Sequence, residues 1–349
     1  MSNSRRLTIG QNIDSGESGG GSINTSNYMT ILALENGLTT SLSTNACQYC
    51  VDGDGNWLDL PAGTTTQSIN SGQTLSFKGN LTPGSSNGIG KFTISKKCNL
   101  EGNCMSLLFG DDAVNNNSLS GKNYAFYKLF SGCTTIIQVS ETFLPATTLA
   151  EYCYSLMFYL CSSLTTAPEL PATTLASSCY SSMFSGCSSL TTAPELPATI
   201  LATWCYQSMF YGCSGLTTAP ELPATTLSEY CYNGMFNGCS SLTTAPELPA
   251  TTLASSCYYY MFNSCSRLTT APELPATTLA SNCYQSMFSN CSNLNYIKML
   301  ATDISASYCL YNWVSNVSST GTFVKNPAMT SLPTGTSGIP SGWTVVDDN

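Results

Sequence analysis

Residues 164–189 read LTTAPELPATTLASSCYSSMFSGCSS, and the same 26-residue unit restarts at Leu190, Leu216, Leu242 and Leu268 before fading after Leu294. Two cysteine series keep the step: Cys153, Cys179, Cys205, Cys231, Cys257, Cys283, Cys309, and Cys161, Cys187, Cys213, Cys239, Cys265, Cys291. A unit this short cannot bury an apolar face alone. A fixed period of this kind predicts coils that bury their interior by stacking, that is, a solenoid.

The frame of the unit is F-x-x-C-x-x-L-x-x-A-P-E-L-P, as in Phe184, Cys187, Leu190, Ala193, Pro194, Glu195, Leu196 and Pro197. Leu-Thr-Thr-Ala predicts a short strand, stopped by two prolines that lack an N–H donor. The spacing of Cys179, Met183 and Phe184 places them on one face of a short helical turn. Leu170, Leu175 and the Met-Phe pairs are the predicted interior. Compared with one another, the copies hold LTTAPELPATTL nearly constant, with Ile200 as the exception, and vary around CYxxMFxxC. Varying positions lie outside the lattice and are predicted exposed. Aromatic residues recur there: Tyr152, Trp204, Tyr211, Tyr230, Tyr259 and Tyr260. Such rings give large contact area at low entropy cost and suit a sugar or protein partner. These six are the candidate ligand-contact residues, and neutral variation on a non-binding face is the other reading.

The frame resembles the BspA-like leucine-rich repeat, whose units run F-x-x-C-x-x-L-x-x-I-x-I-P, over roughly residues 104–317. The resemblance implies a curved right-handed coil with one short strand per turn. It also implies a non-enzymatic surface, adhesion or attachment protein. Two departures stand out: the unit is longer, at 26 residues, and Ala-Pro-Glu-Leu replaces the apolar strand core. Similar arrays also occur in phages of gut bacteria.

Composition narrows the function classes. Charged residues make up 9% of the 349-residue chain, against 42% apolar, and the net charge is -9. Between Thr134 and Leu294 the only basic residue is Arg267. Phosphate neutralisation needs clustered cations, so nucleic acid is disfavoured as a partner, and an anionic membrane surface likewise. Histidine is absent, which removes the commonest general base and the Ser-His and Cys-His nucleophiles. A carboxylate-only glycosidase remains the remote enzymatic alternative. The opening Met1–Gly10 lacks the apolar core of a secretory signal, and no stretch approaches a membrane span. The expectation is folding in a reducing compartment.

Fourteen of the 18 cysteines belong to the array, counting Cys133 in a degenerate first unit. Free cysteine packs as a small hydrophobe, and buried thiol ladders are the preferred reading over disulfides between coils. Cys47-Gln-Tyr-Cys50 has knuckle spacing, but Cys98 and Cys104, six apart, fit no usual second half. Asp52, Asp54 and Asn56 resemble half a calcium loop. Trp57 and Gly63 then break the pattern, and a turn is the better reading. No metal and no cofactor are predicted.

Glu169, Glu195, Glu221, Glu247 and Glu273 form one column with no basic partner in the unit. At a strand spacing near 4.8 Å such neighbours repel by about 1 kcal/mol or less in water, tolerable on an exposed edge. The column reads as a solvated face or as an acidic recognition stripe.

Residues 1–26 read as a flexible arm, 27–100 as a small β-sandwich-like domain, 101–133 as a degenerate first repeat or cap, 134–317 as the leucine-rich-repeat solenoid and 318–349 as a C-terminal cap. The fold class is mostly β, or α+β. Strands are predicted near 28–34, 38–43, 46–51, 57–60, 74–78, 90–95, 322–325 and 343–346. The expected function is non-catalytic attachment from a phage particle, as a head or tail fibre or decoration, with a bacterial cell-surface adhesin as the alternative. Other virion proteins would meet the arm and β-domain, and a host surface protein or glycan would meet the solenoid. Self-association is open.

Overall fold

The computed structural model describes residues 21–348. Most of the predicted arm lies outside the described residues. Its described end is tied down: Ile23 donates its N–H to the Gly53 carbonyl at 2.9 Å, and Asn24 caps a single 3-10 turn over Thr25–Asn27.

The N-terminal region forms β1 (Met29–Ala33), β2 (Thr40–Leu42), β3 (Cys47–Val51), β4 (Leu58–Leu60), β5 (Thr74–Lys78), β6 (Phe92–Ile94) and β7 (Cys98–Gly102). These follow the predicted runs, with β7 added. The chain then builds a one-turn helix α1 (Ser106–Phe109) and β8 (Ile136–Val139). One sheet has the order β4-β3-β5-β1-β7-β8, and β2 pairs with β6 in a second. The sheets meet where Phe77 of β5 packs edge-on against Phe92 of β6, ring centroids 5.3 Å apart. The β7–β8 pairing is parallel, and Gln138 of β8 bridges in turn to Thr166. The domain's sheet therefore runs into the array without a break.

From there the chain is mostly irregular coil, repeating every 26 residues and compatible with a solenoid. Among the described residues there is no closed barrel. The predicted Leu-Thr-Thr-Ala strands appear only as single parallel bridges, such as Thr192 to Thr218 to Thr244. The prolines that follow have no N–H to extend the ladder. The array ends on a parallel sheet of β9 (Tyr296–Met299), β10 (Thr322–Lys325) and β11 (Thr344–Asp347).

Aromatic columns fill the interior. Tyr154, Tyr180, Tyr206, Tyr232, Tyr258 and Tyr284 stack with ring centroids 5.8–6.0 Å apart. Phe130, Phe158, Phe184, Phe210, Phe236, Phe262 and Phe288 do the same at 5.6–5.8 Å. This spacing lies within the range of offset aromatic pairs, and the rings supply much of the buried area. Neither column ends in water. Phe130 stacks on Phe92 of the β-domain at 5.7 Å. At the other end Trp313 covers both columns, meets Phe323 edge-on and donates its indole N–H to the Gly338 carbonyl at 2.8 Å.

All 18 cysteines are buried free thiols. In the second series each sulfur lies against the carbonyl of a phenylalanine in the coil before it, as in Cys187 Sγ to Phe158 O at 3.1 Å and Cys213 Sγ to Phe184 O at 3.1 Å. Burial pushes the thiols up, to about 12 at Cys153, Cys213 and Cys231. They pack and donate; they do not ionise at neutral pH.

Candidate functional site

The segment around CYxxMFxxC is not helical. It is a train of turns in which the backbone is left-handed at every fourth residue: Tyr152, Leu156 and Leu160 in one coil, Ser178, Ser182 and Gly186 in the next, Trp204, Ser208 and Gly212 in the third. Two interleaved hydrogen-bond sets hold it. Alternate N–H groups close local turns, as Cys153 to Ala150 O and Ser155 to Tyr152 O. The others donate to the following coil, as Tyr152 to Ser177 O, Tyr154 to Cys179 O and Leu156 to Ser181 O. Every N–H in the train is used, and the left-handed residues are held by backbone bonds whatever their side chains.

That accounts for the pattern of variation. A non-glycine residue in this conformation costs roughly 1–2 kcal/mol because Cβ crowds the carbonyl, and Gly and Asn bear it best. The third left-handed column mostly follows the rule, with Gly132, Gly186, Gly212, Gly238, Asn290 and Asn316 against Leu160 and Ser264. The first column does not. Beside Ser178, Ser256 and Asn282 it holds Tyr152 at φ 54°, Trp204 at 56° and Tyr230 at 55°. Backbone geometry does not ask for large rings there.

The six predicted contact residues thus occupy related places. Tyr152, Trp204 and Tyr230 share the first left-handed column, and Tyr260 lies in the second at φ 56°. Tyr259 packs edge-on against Tyr260 at 4.4 Å, and desolvation beside that ring pushes its hydroxyl up. Tyr211 precedes Gly212 and is 48% exposed. Trp204 is exposed and leans on Tyr230 with ring centroids 5.8 Å apart. Tyr152, Tyr230, Tyr259 and Tyr260 are half-buried. Sequence reading missed Tyr124 and Tyr308, which carry the first column to both ends at φ 60° and 55°. Tyr124 stacks flat on Tyr152 at 4.8 Å. Tyr124 lies 28 residues before Tyr152, across a two-residue insertion, whereas Tyr308 keeps the 26-residue step after Asn282. Gln207, Asn233, Asn237 and Gln285 lie in the same turn segments, and exposed Glu151 and Glu229 directly precede Tyr152 and Tyr230.

The glutamate column is exposed along its whole length. Glu273 alone in it finds a cation, Lys298 Nζ at 3.4 Å, which also reaches Asp348 at 3.1 Å. Between the Pro-Glu-Leu-Pro segments of successive coils lie open grooves. One of about 450 Å³ is lined by Pro220, Leu222, Pro223, Pro246 and Pro249 with Glu221 and Glu247. A second, of about 340 Å³, lies between Glu195 and Glu221.

The remaining motifs are structural. Asp52 accepts from the Thr74 N–H at 2.8 Å and Gln73 Nε2 at 2.6 Å, and Asp54 accepts from the Asn56 N–H at 2.9 Å, so both carboxylates staple turns. Cys50 Sγ donates to Asp54 at 3.1 Å, while Cys47 and Cys98 are buried in the domain core. Cys104, where the repeat frame was first read, precedes α1; Ser106 there donates to Phe77 O at 2.7 Å, docking the segment on β5. Among the described residues no helix is long and apolar enough to cross a membrane. No protein-family model, curated protein or solved structure matches the chain.

Proposed function

We propose that the chain is a non-catalytic attachment protein, a leucine-rich-repeat solenoid of the BspA-like kind displayed on a phage particle, whose turn face contacts a host surface protein or glycan. One observation carries the contact surface: bulky rings at Tyr152, Trp204, Tyr230 and Tyr260 occupy left-handed backbone positions where Ser178, Ser256, Asn282, Ser182, Ser208, Gly234 and Ser286 show that a small residue suffices. Side chains kept at a conformational cost, and not needed by the lattice, point to a role outside it. Exposed ring faces with a polar tip suit a polar partner such as a sugar or a protein surface. The attachment role and the virion location rest on the resemblance of the repeat. The same resemblance favours the second reading, a bacterial cell-surface adhesin.

Two measurements test this. Mass spectrometry of purified virions should detect the chain; its consistent absence, with recovery from a bacterial envelope, selects the adhesin. Replacing Tyr152, Trp204, Tyr211, Tyr230, Tyr259 and Tyr260 by Ser should abolish attachment while the circular dichroism spectrum stays unchanged. Unchanged attachment would sink the contact surface.

A further inference from the structure

The two ends of the array are finished differently. At its start β8 lies against β7, so the first coil continues the domain's sheet. At its far end β11 pairs with β10 and, among the described residues, with no strand beyond it. It is also the one described strand whose residues are all exposed. The register shows what is left open. Ile297 of β9, Phe323 of β10 and Val345 of β11 form one inward column, and Ala271 of the coil before adjoins Ile297. Ala271, Ile297 and Phe323 are buried, whereas Val345 is 43% exposed. Val346, on the opposite face, is 42% exposed. An apolar interior column thus meets water, where solenoids need a polar cap. The backbone edge is open too. Thr344 and Asp348 donate to the Gly321 and Lys325 carbonyls. Alternation along the strand then turns the N–H and C=O groups of Val345 and Asp347 away from β10. β11 holds no proline or lysine of the kind that blunts an edge. Glu273, Asp347 and Asp348 gather beside it with Lys298 and Lys325, an excess of one negative charge.

We infer that this edge receives residues 5–9 of a second copy, Arg5-Arg6-Leu7-Thr8-Ile9, as an added antiparallel strand that joins chains head to tail. That segment lies outside the described residues. Its sequence matches the edge. With Ile9 opposite Val345 and Leu7 opposite Asp347, both apolar side chains extend the inward column, Thr8 falls opposite Val346 and Arg6 opposite Asp348. Parallel pairing with Leu7 on Val345 would set Arg6 on Thr344 and Arg5 on Trp343, away from the carboxylates, so charge selects the antiparallel sense. Arg5 and Arg6 are two of the chain's three arginines. Main-chain bonds supply the affinity of an added strand and alternate side chains its specificity. Reach decides that the strand comes from another copy. Ile23 is bonded to Gly53, just past β3, and twelve strand steps separate β3 from β11. At about 4.8 Å each they cover about 58 Å. The chain from Ile9 to Gly21, fully extended, spans at most about 43 Å.

This inference is independent of the attachment reading, and the test keeps the two apart. Two variants of the full chain each break one partner. L7S/I9S spoils the arm. V345P blocks the edge, where proline removes an N–H that β10 does not use. Light scattering over a rising concentration series should show the parent associating beyond the monomer mass. Each variant alone should stay monomeric. An equimolar mixture of the two should recover a dimer, since one supplies an intact arm and the other an intact edge. R5Q/R6Q should weaken association about threefold to tenfold. V345P should melt with the parent by circular dichroism; V346K, a charge on the same edge, should reproduce its loss of association. The turn-face variant Y152S/W204S/Y230S should associate as the parent does. A parent that is monomeric at every concentration, association of L7S/I9S equal to the parent's, or a mixture that stays monomeric would each overturn the proposal.

Discussion

The two halves of each coil are held by opposite means. The turn half, from Tyr152 to Cys161 and its copies, varies at its left-handed positions but carries a dense backbone ladder to the next coil. The Pro-Glu-Leu-Pro half hardly varies between copies, yet its coils share almost no backbone bonds. A backbone bond does not depend on the side chain, so the turn half tolerates Tyr, Trp, Ser or Asn at one site. Where that ladder is missing, shape rests on proline φ restriction and on Leu and Ala filling, and the residues themselves become the constraint. Sameness between copies marks where backbone bonding is weakest.

That contrast can be pressed at several points. The largest effect is alkaline. Cys153, Cys213, Cys231, Cys283 and Cys291 lie in or beside the turn half and are held at about 12 by burial. The unfolded chain ionises its thiols near pH 9, so their contribution is full below that value and is lost as pH climbs from about 9 toward 12. At pH 10 each thiol costs on the order of 1 kcal/mol of stability. Five such groups match the whole stability of an ordinary domain. Melting followed by circular dichroism should show a steep decline above pH 9; a flat profile to pH 11 would remove the sealed thiol ladder from the comparison.

Next in size is the interior. Phe210 stacks on Phe184 and Phe236 at 5.8 Å, and F210A should cost about 3–5 kcal/mol in denaturant titration. The proline half comes third. P220A with P223A should cost about 1–2 kcal/mol through the unfolded chain's greater freedom, with no hydrogen bond removed. A loss below about 0.5 kcal/mol would show that Leu222 and Ala224 suffice to shape the segment. Smaller still is W204G. Relief of the left-handed strain and the added flexibility of glycine oppose each other, and the net should stay within about 1 kcal/mol of zero. A loss of several kcal/mol would make Trp204 part of the lattice. The smallest change is Y180F. The Tyr180 hydroxyl is buried without a hydrogen-bond partner, so its removal should be neutral or stabilising by up to about 1 kcal/mol.

Much of this was legible in the chain. The 26-residue step, the Met-Phe interior, the buried cysteines and the exposed glutamates all follow from period and polarity, because stacked identical coils repeat one environment. Strand runs at Thr74–Lys78 and Thr322–Lys325 agree to the residue. Of the six aromatic candidates, the sequence showed that they vary but not that four of them share a left-handed backbone. The β7–β8 continuation escaped notice because parallel pairing across 38 residues leaves no local mark.

The sequence by itself determined what repeats: the length of the coil, which columns face inward, and where charge and rings accumulate. Periodicity acts on every copy alike, so its consequences can be read from one chain. Only the tertiary structure decided the path of the backbone between Cys179 and Cys187, where spacing suggested a helix and the coil forms a train of turns. Local propensity cannot choose that path, since Trp204, Ser178 and Gly212 all take the left-handed conformation. Their neighbours 25 residues away choose it, by accepting every second N–H.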